Sequence, residues 1–119
     1  MTALVSSFKN QFSFEQRFNE SKRVTEKYPD KLPIICEKIS SKDPSISKTK
    51  YLVAVDYKVA HFLHLLRTKL NIKPDQAIFL FVNGSTMVPS NVYLATIYDL
   101  YKDEDGFLYL NYGFENVFG

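Results

Sequence analysis

The two residues at the end of the chain, Phe118 and Gly119, are the first candidates for chemistry. Glycine has no side chain to shield its carboxylate, so a terminal Gly119 could enter a narrow enzyme channel and be joined to an amine there. The alternative interpretation is that the chain merely ends at this residue. The choice between the two depends on what the rest of the chain folds into.

Three other side chains could in principle react or bind a metal. Cys36 lies in a β-rich run, where a cysteine is typically a small buried packing residue and not a nucleophile. His61 and His64 are three residues apart in a helical pattern, but no third cysteine or carboxylate stands with them at a recognised metal-binding spacing. We therefore interpret both histidines as surface residues.

The sequence contains no recognisable catalytic constellation. No nucleophile is paired with a base, no cluster of metal ligands is visible, and none of the four glycines belongs to a phosphate-binding loop. We therefore expect a protein that is not an enzyme and that uses no metal and no cofactor.

Length and composition indicate one packed domain. The chain has 119 residues, of which 45% are hydrophobic and 18 are Phe or Tyr, enough for a single core. No run approaches the roughly 20 apolar residues of a membrane-spanning helix, and the N-terminus lacks the apolar segment of a signal peptide. The single cysteine excludes an internal disulfide and fits a cytoplasmic location. Localisation to a membrane would then require a modification or a partner.

The charge is distributed unevenly along the chain. Residues 1–73 carry a net charge of +7 and residues 74–119 carry −5, which together give +2. A basic half suggests an acidic partner, although it can also be a solvated surface. The lysines are scattered, only three arginines occur, and no arginine-glycine or zinc-finger pattern is present, so we do not expect nucleic acid binding.

The first part of the chain is predicted to be helical. Residues 1–12 form an amphipathic preface that is too short to be a stable helix alone, with apolar residues at helical spacing at Leu4, Phe8 and Phe12. Ser13 and Gln16 have the pattern of a capping box, which predicts a second helix that continues to about Lys27. The predicted apolar stripe of this second helix consists of Phe14, Phe18 and Val24.

Strands and helices alternate in the remainder. We predict strands at 32–39 and 51–55, with Pro33 at the start or edge of its strand, and then a helix over 57–70 capped by Asp56. The apolar face of that helix consists of Val59, Phe62, Leu63, Leu66 and Leu70. A central strand at 78–82, an Asn83-Gly84 turn, an extended piece near Met87, a short helix over 91–101 and a strand at 107–112 complete the pattern. This order predicts an α+β, ubiquitin-like β-grasp fold over residues 13–119, with a four-stranded mixed sheet and two additional N-terminal helices.

The sequence resembles the autophagy ubiquitin-like modifiers, the family of GABARAP and microtubule-associated protein light chain 3. The resemblance extends from about Phe12 to Gly119 without a large insertion. The matching residues are Phe14-Glu15, Lys27-Tyr28-Pro29-Asp30-Lys31, Pro33-Ile34-Ile35-Cys36-Glu37-Lys38, Lys48-Thr49-Lys50-Tyr51-Leu52-Val53, Phe81-Val82-Asn83, Ile97-Tyr98, Tyr101-Lys102-Asp103-Glu104-Asp105-Gly106-Phe107 and Phe118-Gly119.

The resemblance implies that Gly119 is conjugated to lipid. In this family a cysteine protease exposes the glycine when an extension is present. Activating and conjugating enzymes then adenylate it, carry it as a thioester, and join it to the amine of phosphatidylethanolamine on autophagic membranes. The implied locations are the cytoplasm and the autophagosome membrane, and the implied unconjugated state is a monomer.

The resemblance also implies binding of aromatic-x-x-aliphatic motifs from cargo receptors and autophagy proteins. The implied aromatic pocket consists of Glu20, Val24, Pro33, Lys50, Leu52 and Phe107. The implied aliphatic pocket consists of Tyr51, Val53, Tyr57, Phe62 and Leu65. The cations that would meet acidic residues flanking the motif are Lys31, Lys48, Lys50 and Arg67. The alternative is that most of the apolar residues are ordinary core.

Some positions depart from the family pattern. Ala54 stands where a proline is usual, and Lys31 stands where an arginine is common, so the bidentate fork of arginine is lost there. Residues 83–87 are nearer the light chain 3 pattern than the GABARAP pattern, and the sub-branch stays open. A module that binds peptides but is never conjugated is the alternative function.

Overall fold

The computed structural model of the chain describes residues 6–114. The predictions for Leu4 and for the C-terminal Phe118-Gly119 pair lie outside the described residues.

The described residues form four helices and five strands. The helices are α1 (Ser7–Gln11), α2 (Phe14–Lys27), α3 (Val59–Leu70) and α4 (Leu94–Tyr101). The strands are β1 (Lys31–Lys38), β2 (Lys50–Ala54), β3 (Ile78–Val82), β4 (Thr86–Met87) and β5 (Leu108–Phe114). They form one sheet in the order β2-β1-β5-β3-β4, in which β1 and β5 are parallel and the other neighbours are antiparallel. The α+β class, the mixed sheet and the two N-terminal helices are therefore confirmed.

The predicted number of strands was too low by one. The extended piece near Met87 is β4, which pairs with the end of β3 at the edge of the sheet. It contains only two residues, Thr86 and Met87, and both are exposed. A strand this short shows no alternation of apolar and polar residues, so periodicity could not identify it.

The start of α2 follows the predicted capping box, but its apolar stripe does not. The Ser13 Oγ accepts the Gln16 backbone N–H at 3.2 Å, and the Gln16 Oε1 accepts the Ser13 backbone N–H at 2.9 Å. Of the predicted stripe only Val24 is buried, whereas Phe14 and Phe18 are 47% and 43% exposed. The residues of α2 that face the protein are instead Ser21 and Val24, which are both buried. Ser21 also donates a hydrogen bond to the backbone carbonyl of Asp105.

The predicted cap of α3 was wrong. The helix begins at Val59, and its N-cap residue is Lys58 and not Asp56. The Lys58 backbone N–H donates to the His61 Nδ1 at 2.9 Å, while the Tyr57 N–H closes a turn onto the Ala54 carbonyl. The predicted core face is confirmed, since Val59, Phe62 and Leu66 are buried and Leu63 and Leu70 pack against them.

The two faces of the sheet are covered differently. The main core lies between the sheet and the helices α3 and α4, and it includes Phe62 of α3, Leu94 of α4 and Leu110 of β5. The opposite face carries α1 and α2 over a small cluster of Phe8, Ile35 and Phe107. Within the described residues no helix is long and apolar enough to cross a membrane.

Candidate peptide-binding site

The strand β2 lies at one edge of the sheet, with β1 on its inner side. Its residues alternate between the two faces, as in any strand. Tyr51 and Val53 are buried in the main core on the α3 side, whereas Lys50 and Leu52 lie on the α2 side. An edge strand offers backbone N–H and C=O groups on its outer side to another extended chain.

A cleft of about 260 Å³ lies between α2 and the strands β1 and β2. All six residues of the predicted aromatic pocket line this one cleft: Glu20, Val24, Pro33, Lys50, Leu52 and Phe107. The lining also includes residues outside the predicted pocket, namely Arg23, Tyr28, Lys48 and Tyr51. The structure therefore brings together residues that are up to 87 positions apart in the chain.

Local sequence explains how the walls of the cleft are built. Pro33 pairs with Leu52, and the pairing of β1 with β5 begins only at Ile34. Pro33 therefore lies near the start of β1, as predicted, where its missing N–H removes no bond to β5. Val24 is buried on the inner side of α2, and Phe107 is fully buried in the small cluster.

An ion triad lies at the rim of the cleft. The Glu20 carboxylate accepts hydrogen bonds from the Arg23 Nε and Nη2 at 2.9 and 3.0 Å and from the Lys50 Nζ at 2.6 Å. These bonds, first those from Arg23 and then that from Lys50, lower the pKa of Glu20 to about 2. The resemblance did not assign Arg23 to the site, although the three-residue spacing from Glu20 on a helix predicts an ion pair.

Four of the five predicted aliphatic-pocket residues belong to the packing between β2 and α3. The rings of Tyr51 and Phe62 meet edge to face with centroids 5.4 Å apart, and Val53 and Leu65 pack in the same cluster. Burial raises the pKa of Tyr51 to about 12. Tyr57 instead lines a neighbouring depression of about 430 Å³, where its ring lies 5.4 Å from that of His61.

The predicted flank cations occupy three different environments. Lys48 is exposed at the cleft, and its Nζ lies 5.4 Å from the centre of the Tyr51 ring. Lys31 opens β1 beside the end of β2. The Arg67 guanidinium donates to the backbone carbonyls of Gln76 at 2.6 Å and Lys73 at 3.5 Å, so it braces the loop after α3. Contact of Arg67 with an acidic peptide therefore stays a prediction.

The remaining candidates lie away from the cleft. Cys36 is fully buried, as predicted, and burial raises the pKa of its thiol. His61 and His64 are exposed on α3, as predicted. Among residues 6–114, no group of three or more His, Cys, Asp or Glu could hold a metal ion.

Comparison with known proteins finds relatives that match nearly the whole chain. The family profile described as "Autophagy protein Atg8 ubiquitin like" matches residues 16–119. Autophagy-related protein 8 of Schizosaccharomyces pombe is 46% identical over 115 residues, which cover 96% of this chain and 94% of the relative. The crystal structure of Trypanosoma brucei ATG8 is 39% identical with a TM-score of 0.88, and the match covers 94% of this chain and 97% of that one.

A second solved relative is Plasmodium falciparum Atg8 in complex with a Plasmodium falciparum Atg3 peptide. It is 32% identical, with a TM-score of 0.81, and the match covers 92% of this chain and 96% of that one. These likenesses confirm the predicted ubiquitin-like fold. The matched proteins are ubiquitin-like modifiers and not enzymes. The chain therefore belongs to the Atg8 family of autophagy ubiquitin-like proteins.

Proposed function

We propose that this Atg8-family modifier binds aromatic-x-x-aliphatic peptides along the outer edge of β2. In an extended chain, residues three positions apart point to opposite sides. The side chains of Lys50 and Leu52 in the cleft and the packed rings of Tyr51 and Phe62 likewise lie on opposite faces of β2. A peptide that adds to this edge would direct its aromatic side chain into the cleft and its aliphatic side chain toward α3. This match between motif spacing and strand geometry carries the proposal.

The contacts divide into those that give affinity and those that give selectivity. Backbone hydrogen bonds to β2 and burial of the two anchor side chains supply affinity. The basic rim of Lys48 and Lys50, with Lys31 nearby, favours peptides that carry acidic residues beside the motif. The Plasmodium falciparum relative, solved with an Atg3 peptide, supports peptide binding by this fold.

Titration calorimetry with a motif peptide tests the cleft. Leu52→Ala removes a half-buried side chain that lines the cleft. We expect an affinity loss of about tenfold, which is typical of truncating an interface residue that contributes to the binding free energy. Met87→Ala is the matched control, because Met87 is 47% exposed on the opposite edge strand β4. Equal affinities of both variants and the wild type would contradict the assignment of the cleft.

We further propose that Gly119 is the residue conjugated to phosphatidylethanolamine. Adenylation with ATP releases pyrophosphate, and a cysteine of the activating enzyme displaces AMP to form a thioester. A cysteine of the conjugating enzyme takes the acyl group as a second thioester, which frees the thiol of the activating enzyme. The lipid amine then displaces the cysteine of the conjugating enzyme, which leaves an amide and a free thiol. Two acyl chains anchor the product firmly, since each buried CH₂ contributes roughly 0.8 kcal/mol. The protein would thus move from the cytoplasm to the autophagosome membrane, where peptide binding recruits cargo receptors.

Reconstitution tests the conjugation. The chain is incubated with the matching activating and conjugating enzymes, ATP and liposomes that contain phosphatidylethanolamine, and its intact mass is measured. We expect a mass gain of one lipid less one water, as amide formation requires, and Gly119→Ala should abolish it. If a second Atg8 protein is lipidated by the same enzymes and this chain is not, the unconjugated peptide-binding adaptor becomes the better account. A cysteine protease that removes the lipid would complete the cycle.

A further inference from the structure

The rim of the cleft holds one carboxylate between two cations from different elements. Arg23 lies one turn after Glu20 on α2, and its Nε and Nη2 contact separate oxygens of the Glu20 carboxylate. Lys50 comes from the edge strand β2, and its Nζ contacts only the Glu20 Oε2. Arg23 alone therefore occupies both carboxylate oxygens, while Lys50 adds a third bond.

A bound peptide would affect the two cations differently. Lys50 stands on the strand to which the peptide would add, and its side chain is 49% exposed. To meet an acidic peptide residue, the Lys50 ammonium has to leave Glu20. The Glu20 side chain is only 26% exposed, so a carboxylate left without a partner there would lose hydrogen bonds that water replaces incompletely.

We propose that Arg23 is a positioning residue that keeps Glu20 paired while Lys50 turns toward an acidic residue of the bound peptide. The proposal rests on the peptide-binding function proposed above. It makes Arg23 a determinant of selectivity for acidic flanks through Glu20, without an ion pair between Arg23 and the flanking residues. An arginine suits this role because its planar fork satisfies both oxygens of one carboxylate.

The first test compares two peptides that share one motif and differ only in acidic or neutral flanking residues. Arg23→Gln should reduce the wild-type preference for the acidic peptide by about three- to fivefold, within the range of exposed ion pairs. The neutral peptide measures whatever Arg23 contributes as part of the cleft lining, so the role in acidic selectivity is obtained from the ratio of the two affinities. Lys22→Gln is the matched control, since it removes the same charge from an exposed neighbouring position that does not line the cleft.

A double-mutant cycle separates positioning from a direct or long-range charge effect. In the Glu20→Gln background Lys50 has no carboxylate to leave, so adding Arg23→Gln should change the acidic preference no further. A reduction of the same size in that background, or an equal reduction by Lys22→Gln, would overturn the proposal. Arg23→Lys should retain part of the preference, because an ammonium can still hold one oxygen of Glu20.

Nuclear magnetic resonance of the Glu20 carboxyl carbon adds a readout that loss of fold would not mimic. In the wild-type complex with the acidic peptide, the pKa of Glu20 should remain far below its ordinary value, and in Arg23→Gln it should rise. If neither peptide binds the wild type, the proposed function fails and this inference with it. If both peptides bind and Arg23→Gln leaves their affinity ratio unchanged, only the role of Arg23 fails.

Discussion

The two faces of the sheet are stabilised by different kinds of contact. On the α3 and α4 side, 18 buried residues of the described part of the chain form one continuous core. On the α1 and α2 side, the buried cluster among residues 6–114 consists of Phe8, Ile35 and Phe107, with Tyr109 beside it. The first face therefore depends mainly on apolar burial, whereas the described residues of the second face bury less apolar area.

Polar contacts supply what the second face lacks in apolar area. The Asp105 side chain is fully buried, and its carboxylate accepts hydrogen bonds from Arg17 of α2 at 2.7 Å, from the Tyr109 hydroxyl at 2.5 Å and from the Phe107 backbone N–H at 2.9 Å. The Glu37 carboxylate accepts from the Ser6 hydroxyl at 2.6 Å and from the Phe8 backbone N–H at 3.1 Å at the start of α1. Charged groups thus contribute a large share of the contacts that hold α1 and α2, so we expect these helices to detach more readily than α3.

The largest expected effect is the loss of apolar packing on the α3 face. Phe62 is fully buried, and Phe62→Ala should lower the free energy of unfolding by about 3–5 kcal/mol, measured by urea denaturation. Phe62→Leu should cost less and keeps the chain folded if the alanine variant does not fold. Phe18→Ala, at a 43% exposed position on α2, should change stability by no more than about 0.5 kcal/mol. Similar losses at both phenylalanines would remove the distinction between the faces.

A smaller but more local effect is expected from Asp105→Asn. This change leaves Arg17, whose side chain is 11% exposed, without its charged partner and should cost about 2–3 kcal/mol. Amide hydrogen exchange should accelerate in α2 more than in α3. Adding Arg17→Met should recover part of the loss, since it removes the unpaired cation. Equal acceleration in both helices would show that the two faces unfold as one unit.

Glu37→Gln should affect α1 alone. The amide keeps one oxygen for Ser6 or Phe8 but loses the charge and one acceptor, at a cost of about 1 kcal/mol, typical of a helix cap. Trypsin should then cleave after Lys9 faster than in the wild type, while the midpoint of global unfolding changes little. Unchanged cleavage would indicate that the Phe8 cluster suffices to hold α1.

The smallest expected effect concerns pH at the rim of the cleft. Because the pKa of Glu20 is lowered from 4.5 to about 2, its ion pairs contribute fully above pH 4.5 and are lost as the pH falls toward 2. A carboxyl-carbon titration should therefore show Glu20 still ionised at pH 4.5, where a glutamate with the ordinary pKa is half protonated. In Arg23→Gln the titration midpoint should move up. A wild-type midpoint near 4.5 would mean that the triad does not hold Glu20.

Much of the α3 face was predictable from the sequence. The apolar positions of α3 recur at helical spacing, and Ile78–Val82 is a continuous apolar run, so burial follows from periodicity alone. The Asn83-Gly84 turn was also predictable from the sequence, and both residues have positive φ in the structure, at 54° and 73°. These signals come from residues close together in the chain, and the structure agrees with the predictions based on them.

The α2 face could not be predicted in the same way. Periodicity placed Phe14 and Phe18 inside, yet contacts of Arg17 and Ser21 with the Asp105 turn rotate α2 so that both rings face solvent. The Asp56 cap failed for a similar reason, since the extended backbone of Lys58 pairs with Tyr93 far along the chain. The resemblance assigned the six cleft residues, but no local pattern places Glu20 and Phe107 in the lining of one cleft.

By itself the sequence determined the order of helices and strands, the apolar face of α3 and the family to which the chain belongs. The first two depend on residue types at short, regular spacing, and the third depends on the resemblance of motifs along the chain to a known family. The tertiary structure alone decided which face of α2 is buried and that a fifth strand lies at the edge of the sheet. It also decided that Arg23 and Lys50 both donate hydrogen bonds to the Glu20 carboxylate. Such features depend on charged and backbone groups from distant segments meeting in space, and spacing along the chain does not encode these meetings.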